Sequence, residues 1–96
     1  MIKHIVCFKL KDNCEEQKNK AKEILLSMKE NVPTVKAIEV GCDFLGSARS
    51  YDIILQVTLD SKAVLDEYQN DEYHVNVVKK HMHAAAIESI AVDYEI

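Results

Sequence analysis

The sequence predicts an α+β fold in which strands and helices follow one another in the order β-α-β-β-α-β. Three observations support this prediction. The hydrophobic period changes between about 2 and about 3.6 residues along the chain, Asp, Asn, Gly, Ser or Pro mark the breaks between segments, and the composition suits a single core. The chain has 96 residues, of which 48% are hydrophobic, with only two glycines and one proline. We therefore expect one domain covering residues 1–96.

A strand, a helix and a second strand are predicted for the first half of the chain. Residues alternate with period two from Met1 to Lys11, and one face of this strand holds Ile2, His4, Val6, Phe8 and Leu10. Asp12 and Asn13 then offer a helix N-cap, with Glu16 in the position of a capping box after Asn13. Apolar residues follow at helical spacing until Pro33 ends the helix. The stretch Val35–Phe44 predicts the second strand.

A third strand, a second helical region and a last strand are predicted for the second half. Tyr51–Leu59 alternates again, so that its odd-numbered residues share one face. Asp60 or Ser61 caps a helix that runs to about Gln69. After an interruption, a further helical stretch should turn three apolar residues to one side, namely Val75, Val78 and Met82. The last strand is predicted over Ile87–Ile96.

This order of elements is the split βαβ arrangement of ferredoxin-like folds, with a four-stranded antiparallel sheet. In that topology the first and third strands lie in the centre of the sheet. These are the two segments with the most continuous apolar faces, which agrees with a central position.

The last strand has two unlike faces, which predicts an interface. One face carries small or polar residues, namely Ser89, Ala91, Asp93 and Glu95, and the other carries Ile90, Val92, Tyr94 and Ile96. If the small residues lie under the helices, four large apolar side chains point out of the subunit. Since an exposed apolar patch of this kind marks a contact surface, we expect a homodimer.

Composition argues against several classes of partner. The net charge is −4 and the longest basic run is Lys79–Lys80, so nucleic acid is not expected. No apolar run exceeds four residues, whereas a membrane span needs about 20. The three cysteines are odd in number and lack CxxC spacing, which predicts reduced thiols, no zinc site and a cytoplasmic location.

Four segments of the sequence resemble the stress-responsive A/B barrel domain family: Met1–Lys11, Tyr51–Ile53, Tyr68–Val75 and Val92–Tyr94. The resemblance implies a ferredoxin-like subunit that dimerises sheet to sheet as a dimeric α+β barrel. That family includes a plant olivetolic acid cyclase, which closes a polyketide by an aldol condensation. The catalytic residues of that enzyme fall on His4, Tyr68 and His74. Its bulky aromatics on the first helix have no counterpart in this chain, so the resemblance implies no substrate.

The residues themselves allow a functional and a structural interpretation of this site. His4 lies among apolar residues of the first strand, and it is either a pocket histidine or a core histidine satisfied by a hydrogen bond. His74 is either a proton acceptor at a cavity mouth or a packing residue. Tyr68 either donates a hydrogen bond to a carbonyl or enolate oxygen or is a half-buried core residue.

A ligand pocket is expected between sheet and helices, lined by Val6, Phe8, Leu55, Ser89 and Ala91. No metal is expected, because His81 and His83 lie about 200° apart on a helix and cannot chelate one ion without other ligands. No cofactor is expected either.

The predicted function is binding or transformation of a small organic molecule by cofactor-free acid/base chemistry next to a carbonyl. His74 would be the base, and Tyr68 and His4 the orienting donors. Two alternatives stay open: a ligand-binding dimer without turnover, and a barrel similar to the antibiotic-biosynthesis monooxygenases.

Overall fold

Four strands form one antiparallel sheet in the computed structural model, which describes residues 1–96. They are β1 (Ile2–Leu10), β2 (Ala37–Cys42), β3 (Ile53–Leu59) and β4 (Ala86–Glu95). The order across the sheet is β2-β3-β1-β4, so the first and third strands are central, as predicted. In this register His4 lies opposite Val57 on β3 and opposite Asp93 on β4.

Helical segments pack on one face of the sheet: α1 (Glu15–Leu26), α2 (Met28–Asn31), α3 (Lys62–Gln69), a π-helical segment (His74–Lys79) and α4 (Lys80–Ala85). The predicted ferredoxin-like order β-α-β-β-α-β is confirmed, with three consecutive segments in the second helical region. None of the helices has the length and apolar character that crossing a lipid bilayer requires. All three cysteines are free thiols.

The start of α1 differs from the prediction. Cys14 is the N-cap, and no side chain caps the helix. Asp12 Oδ1 accepts a hydrogen bond from the Cys14 backbone N–H at 3.1 Å. The Asn13 amide donates to Asp52 Oδ1 at 3.3 Å. The prediction of a capping box was therefore wrong, since the Asn13 side chain bonds to the segment before β3 and not to the helix.

The π-helical segment changes which residues of the second helical region face the sheet. His74, Val78 and Met82, spaced four apart, are buried, whereas Val75 is 41% exposed. The prediction that Val75 shares a face with Val78 and Met82 was thus wrong. A π-helix forms i→i+5 hydrogen bonds and has a wider turn than an α-helix. Residues four apart therefore lie nearer the same side, and Val75 rotates outward.

The core forms where alternate strand residues meet the helices. On β3, Ile53, Leu55, Val57 and Leu59 are all buried, as the alternation predicted. Tyr51 does not share their face: it precedes β3, and its hydroxyl donates to Glu88 at 3.1 Å. Glu88 lies beside Lys9 on the face of the sheet that the helices leave open.

The open face of β4 is apolar and accessible to solvent. Ile90, Val92, Tyr94 and Ile96 are all exposed, with Val92 at 58%. Their partners across the β1–β4 pair include Ile5, opposite Val92, and Cys7, opposite Ile90. The predicted division of β4 into a small inner face and a large apolar outer face is present.

Candidate active site

A cavity of about 250 Å³ lies between the sheet and the second helical region. The three predicted catalytic residues, His4, Tyr68 and His74, all line it. So do the five residues predicted to bind a ligand, which are Val6, Phe8, Leu55, Ser89 and Ala91. Strand alternation explains this grouping, because Val6 and Phe8 share the inner face of β1 and Ser89 and Ala91 that of β4. The small side chains of Ser89 and Ala91 on β4 leave space that larger side chains would fill.

His4 is held by the neighbouring strand. It is only 6% exposed, and its Nδ1 hydrogen-bonds to Asp93 Oδ1. A carboxylate can only accept, so Nδ1 carries the proton in this bond and Nε2 is the nitrogen left free. The Asp93 side chain is 41% exposed, so the carboxylate keeps contact with solvent while it orients a buried ring.

Asp93 is the residue of this site that sequence reasoning did not identify. It was placed on the inner face of β4 but given no role. The signal that would have found it is the strand register, in which His4 and Asp93 are directly opposite in an antiparallel pair. Side chains at opposite positions in such a pair have Cβ atoms about 5 Å apart, within hydrogen-bond reach of each other.

His74 is held by the end of the preceding helix. Its Nδ1 donates to the Tyr68 carbonyl oxygen at 3.0 Å, and its backbone N–H donates to Asp71 Oδ1 at 3.1 Å. Burial lowers the pKa of His74, and the positive charge of Lys79 adds to this effect, although the Tyr68 carbonyl and Asp71 oppose it. The imidazole is therefore neutral near pH 7, with its Nε2 lone pair available to accept a proton.

Tyr68 packs its ring between the two imidazoles. The centroid of its ring lies 5.6 Å from that of His4, in an edge arrangement, and 4.4 Å from that of His74. These two distances add to about 10 Å, which is the largest separation the imidazole centroids can have. The three residues, which come from β1, the end of α3 and the π-helical segment, thus form one aromatic cluster at the cavity wall.

The Tyr68 hydroxyl differs from the donor role expected for it. Tyr68 is fully buried, and its hydroxyl donates to Met28 Sδ at 3.6 Å. Met28 does not line the cavity. Burial raises the pKa of Tyr68, so the phenol stays neutral at any physiological pH. In this geometry the ring forms part of the cavity wall while the hydroxyl bonds within the core.

No group of three or more His, Cys, Asp or Glu side chains is arranged to hold a metal ion. His83 lines the cavity, whereas His81 does not. The Nε2 of His81 is buried without a hydrogen-bond partner, and burial lowers the pKa of this imidazole. His81 and His83 therefore lie in different surroundings.

Solved structures with this fold include proteins described as dimeric and proteins named as enzymes. A dimeric ferredoxin-like protein of unknown function from Bacteroides fragilis is 28% identical over 99% of this chain and 95% of its own, with a TM-score of 0.83. A hydroxynitrile lyase from Passiflora edulis is 17% identical over 99% and 92%, with a TM-score of 0.79. An antibiotic biosynthesis monooxygenase is 15% identical over 100% and 98%, with a TM-score of 0.75.

Sequence comparisons add one result. No protein with a curated description matches the chain. The family model of the Stress responsive A/B Barrel Domain matches residues 2–96.

Proposed function

The chain belongs to the stress responsive A/B barrel domain family, and we propose that its cavity transforms a small organic molecule by cofactor-free acid/base chemistry. The reaction is removal of a proton from a carbon next to a carbonyl group, as in an isomerisation or an aldol step. The cavity, at about 250 Å³, is slightly smaller than the roughly 300–1,000 Å³ usual for ligand sites, which supports a small substrate.

The observation that carries this proposal is the pairing of two buried imidazoles on one cavity. Each has its Nδ1 occupied, His4 by Asp93 and His74 by the Tyr68 carbonyl, so each offers Nε2. Their centroids are at most about 10 Å apart, and both residues line the same cavity beside the Tyr68 ring, which supports contact of one small molecule with both imidazoles. One of these nitrogens can remove a proton while the other stabilises the negative oxygen.

The two histidines differ in a way that assigns their roles. His74, with its lowered pKa, is the base, and its Nε2 accepts the proton from carbon. The electron pair of the C–H bond forms the carbon–carbon double bond of an enolate, and the π pair of the carbonyl moves onto its oxygen. His4, when protonated on both nitrogens, gives one N–H to Asp93 and the other to that oxygen. The carboxylate of Asp93 holds the His4 ring through Nδ1, as the acidic residue orients the histidine in a catalytic triad.

The proposed active form is a homodimer that pairs the open faces of two sheets. The four exposed apolar residues of β4 support this assembly, since they would be buried in such a contact. The Bacteroides fragilis neighbour is described as dimeric, which agrees with it. The neighbour named as a hydroxynitrile lyase is in turn compatible with acid/base chemistry on this scaffold.

Hydrogen–deuterium exchange at carbon tests the reaction without knowledge of the natural substrate. A panel of small ketones, aldehydes and 3-oxo acids is incubated with the protein in D₂O, and loss of the α-proton signal is followed by NMR. The wild-type protein should accelerate exchange for at least one compound. His74→Gln should lower that rate by about 10²- to 10⁴-fold, the usual contribution of a general base.

His81→Gln is the matched control, since His81 lies on α4 and does not line the cavity. It should exchange at the wild-type rate. A wild-type protein that binds members of the panel but exchanges none of them would contradict the catalytic proposal and favour a ligand-binding dimer. Equal losses in the two variants would contradict the role of His74.

A further inference from the structure

The charge of the cavity wall is opposite to that of the whole molecule. The chain has 16 acidic residues and a net charge of −4, yet no Asp or Glu lines the cavity. Its basic lining residues are one lysine and three histidines, namely Lys79, His4, His74 and His83. The carboxylates that contact the site, Asp93 and Asp71, are bonded to His4 and to the His74 backbone N–H.

Lys79 is a half-buried cation without an acidic partner. Its Nζ donates to the Gln69 carbonyl oxygen at 3.0 Å, which fixes the ammonium group at the cavity. No carboxylate lies within ion-pair distance of it, and it is the lysine that lines the cavity. An ammonium group has three N–H donors, so two remain for a ligand. A fixed, partly desolvated and unpaired cation is a binding site for an anion.

The remainder of the wall is apolar. Val6, Phe8 and Leu55 come from the sheet, and Val78 and Met82 come from the helical side. A ligand that matches this surface has an apolar body as well as a charged end. Inorganic phosphate or sulfate would satisfy the cation but would leave the apolar wall uncovered.

We propose that the cavity binds a small organic carboxylate, with its carboxylate group on Lys79 and its apolar body against β1, β3 and α4. This inference rests on the proposed function, because it names the substrate class of the same cavity. Lys79 is close enough to His74 for its charge to act on the imidazole, so a carboxylate bound there would place its neighbouring carbons beside the proposed base. His83, an exposed residue, also lines this cavity.

Matched pairs of acid and amide test the charge requirement directly. Benzoate, phenylacetate and hexanoate are compared with benzamide, phenylacetamide and hexanamide, which have the same shape without the charge. Binding is measured from chemical-shift changes of ¹³C-labelled histidine and methyl groups. In at least one pair the acid should bind about tenfold more tightly than the amide, which corresponds to about 1.4 kcal/mol.

Lys79→Gln should abolish that preference, since glutamine can keep a hydrogen bond to the Gln69 carbonyl but has no charge. Lys80→Gln removes one charge from the adjacent, exposed position and should keep the preference. Amides that bind as tightly as acids in every pair would overturn the inference. So would a preference that survives in Lys79→Gln, or shifts that lie outside the cavity.

The outcome is separable from that of the proposed reaction, because binding is measured without turnover. Loss of the acid preference with α-proton exchange intact rejects the carboxylate alone. An acid preference without exchange for any compound rejects the acid/base reaction alone.

Discussion

His4 and His74 arrive at the same hydrogen-bonding pattern from different elements. In both, Nδ1 is committed to a neighbour and Nε2 is left for the cavity, but one neighbour is a carboxylate and the other a backbone carbonyl. A carboxylate is charged and a backbone carbonyl is not, so the two rings have acceptors of different character. The proposed division of roles between His4 and His74 rests on these two acceptors, Asp93 and the Tyr68 carbonyl.

The lowered pKa of His74 predicts how stability depends on pH. The unfolded chain binds a proton at an ordinary pKa of about 6.5, whereas the folded protein binds it only at lower pH. Between those two values the unfolded state holds more protons, so the free energy of unfolding falls as pH falls. Urea unfolding from pH 7.5 to pH 5 should show this loss, and His74→Gln should reduce its slope. His83→Gln should keep the wild-type slope, and equal slopes in all three proteins would contradict the burial of a neutral imidazole.

At the residue scale the sequence identified the histidines but not their partners. Period-two alternation was enough to place His4 on the inner face of β1. The role of Asp93 depends on strand register, which becomes visible only when β1 and β4 are paired. The direction of the Tyr68 hydroxyl depends on the packing of Met28, which no local pattern reports.

At the scale of elements, the π-helical segment His74–Lys79 positions the proposed base, His74. It is separated from the Asn70 C-cap of α3 by the three residues Asp71–Tyr73 and carries His74 at its first position. The apolar spacing in this stretch fits an α-helix as well as a π-helix, which is why the sequence predicted Val75 on the inner side. Strands were predicted more accurately, because their alternation leaves one choice of face once β1 and β3 are buried.

Two valine truncations test which residues of the π-helical segment face the sheet. Val78 is fully buried, so Val78→Ala should lower the free energy of unfolding by about 2 kcal/mol, for two lost methyl groups and the cavity left behind. Val75→Ala removes the same atoms from an exposed position and should change it by less than about 0.5 kcal/mol. Urea unfolding measures both, and equal losses would show that the segment is a regular α-helix with Val75 inside.

At the scale of the whole molecule, the sheet separates two surfaces. Its helical side encloses the cavity, and its other side presents an apolar patch on β4 that a single chain leaves in water. The topology and the patch were both predictable from hydrophobic alternation. The cavity itself was predicted only as a space left by Ser89 and Ala91, since its volume depends on how the helices settle against the sheet.

The proposed dimer predicts a mass that one substitution should change. Light scattering at micromolar concentration should give twice the chain mass of 10.9 kDa. Val92→Asp should reduce it to the single-chain mass, because an unpaired carboxylate in that apolar contact is strongly unfavourable. Val77→Asp places the same charge at an exposed valine of the π-helical segment and should leave the dimer intact. A wild-type protein of single-chain mass would contradict the assembly.

The β1–β4 pair contains one irregularity, where β1 ends and β4 begins, and it has a consequence for how this chain can vary. Lys9 pairs with Glu88 and Leu10 pairs with Ala86, so Ile87 has no partner on β1. This point determines which residues of β4 face the cavity and which face outward. Gaining or losing one residue in β4 would exchange its two rows of side chains, turning Ile90 and Val92 into the cavity and Asp93 away from His4. Insertions and deletions in this strand therefore damage both surfaces at once. A single substitution in β4 can instead alter one surface and leave the other unchanged.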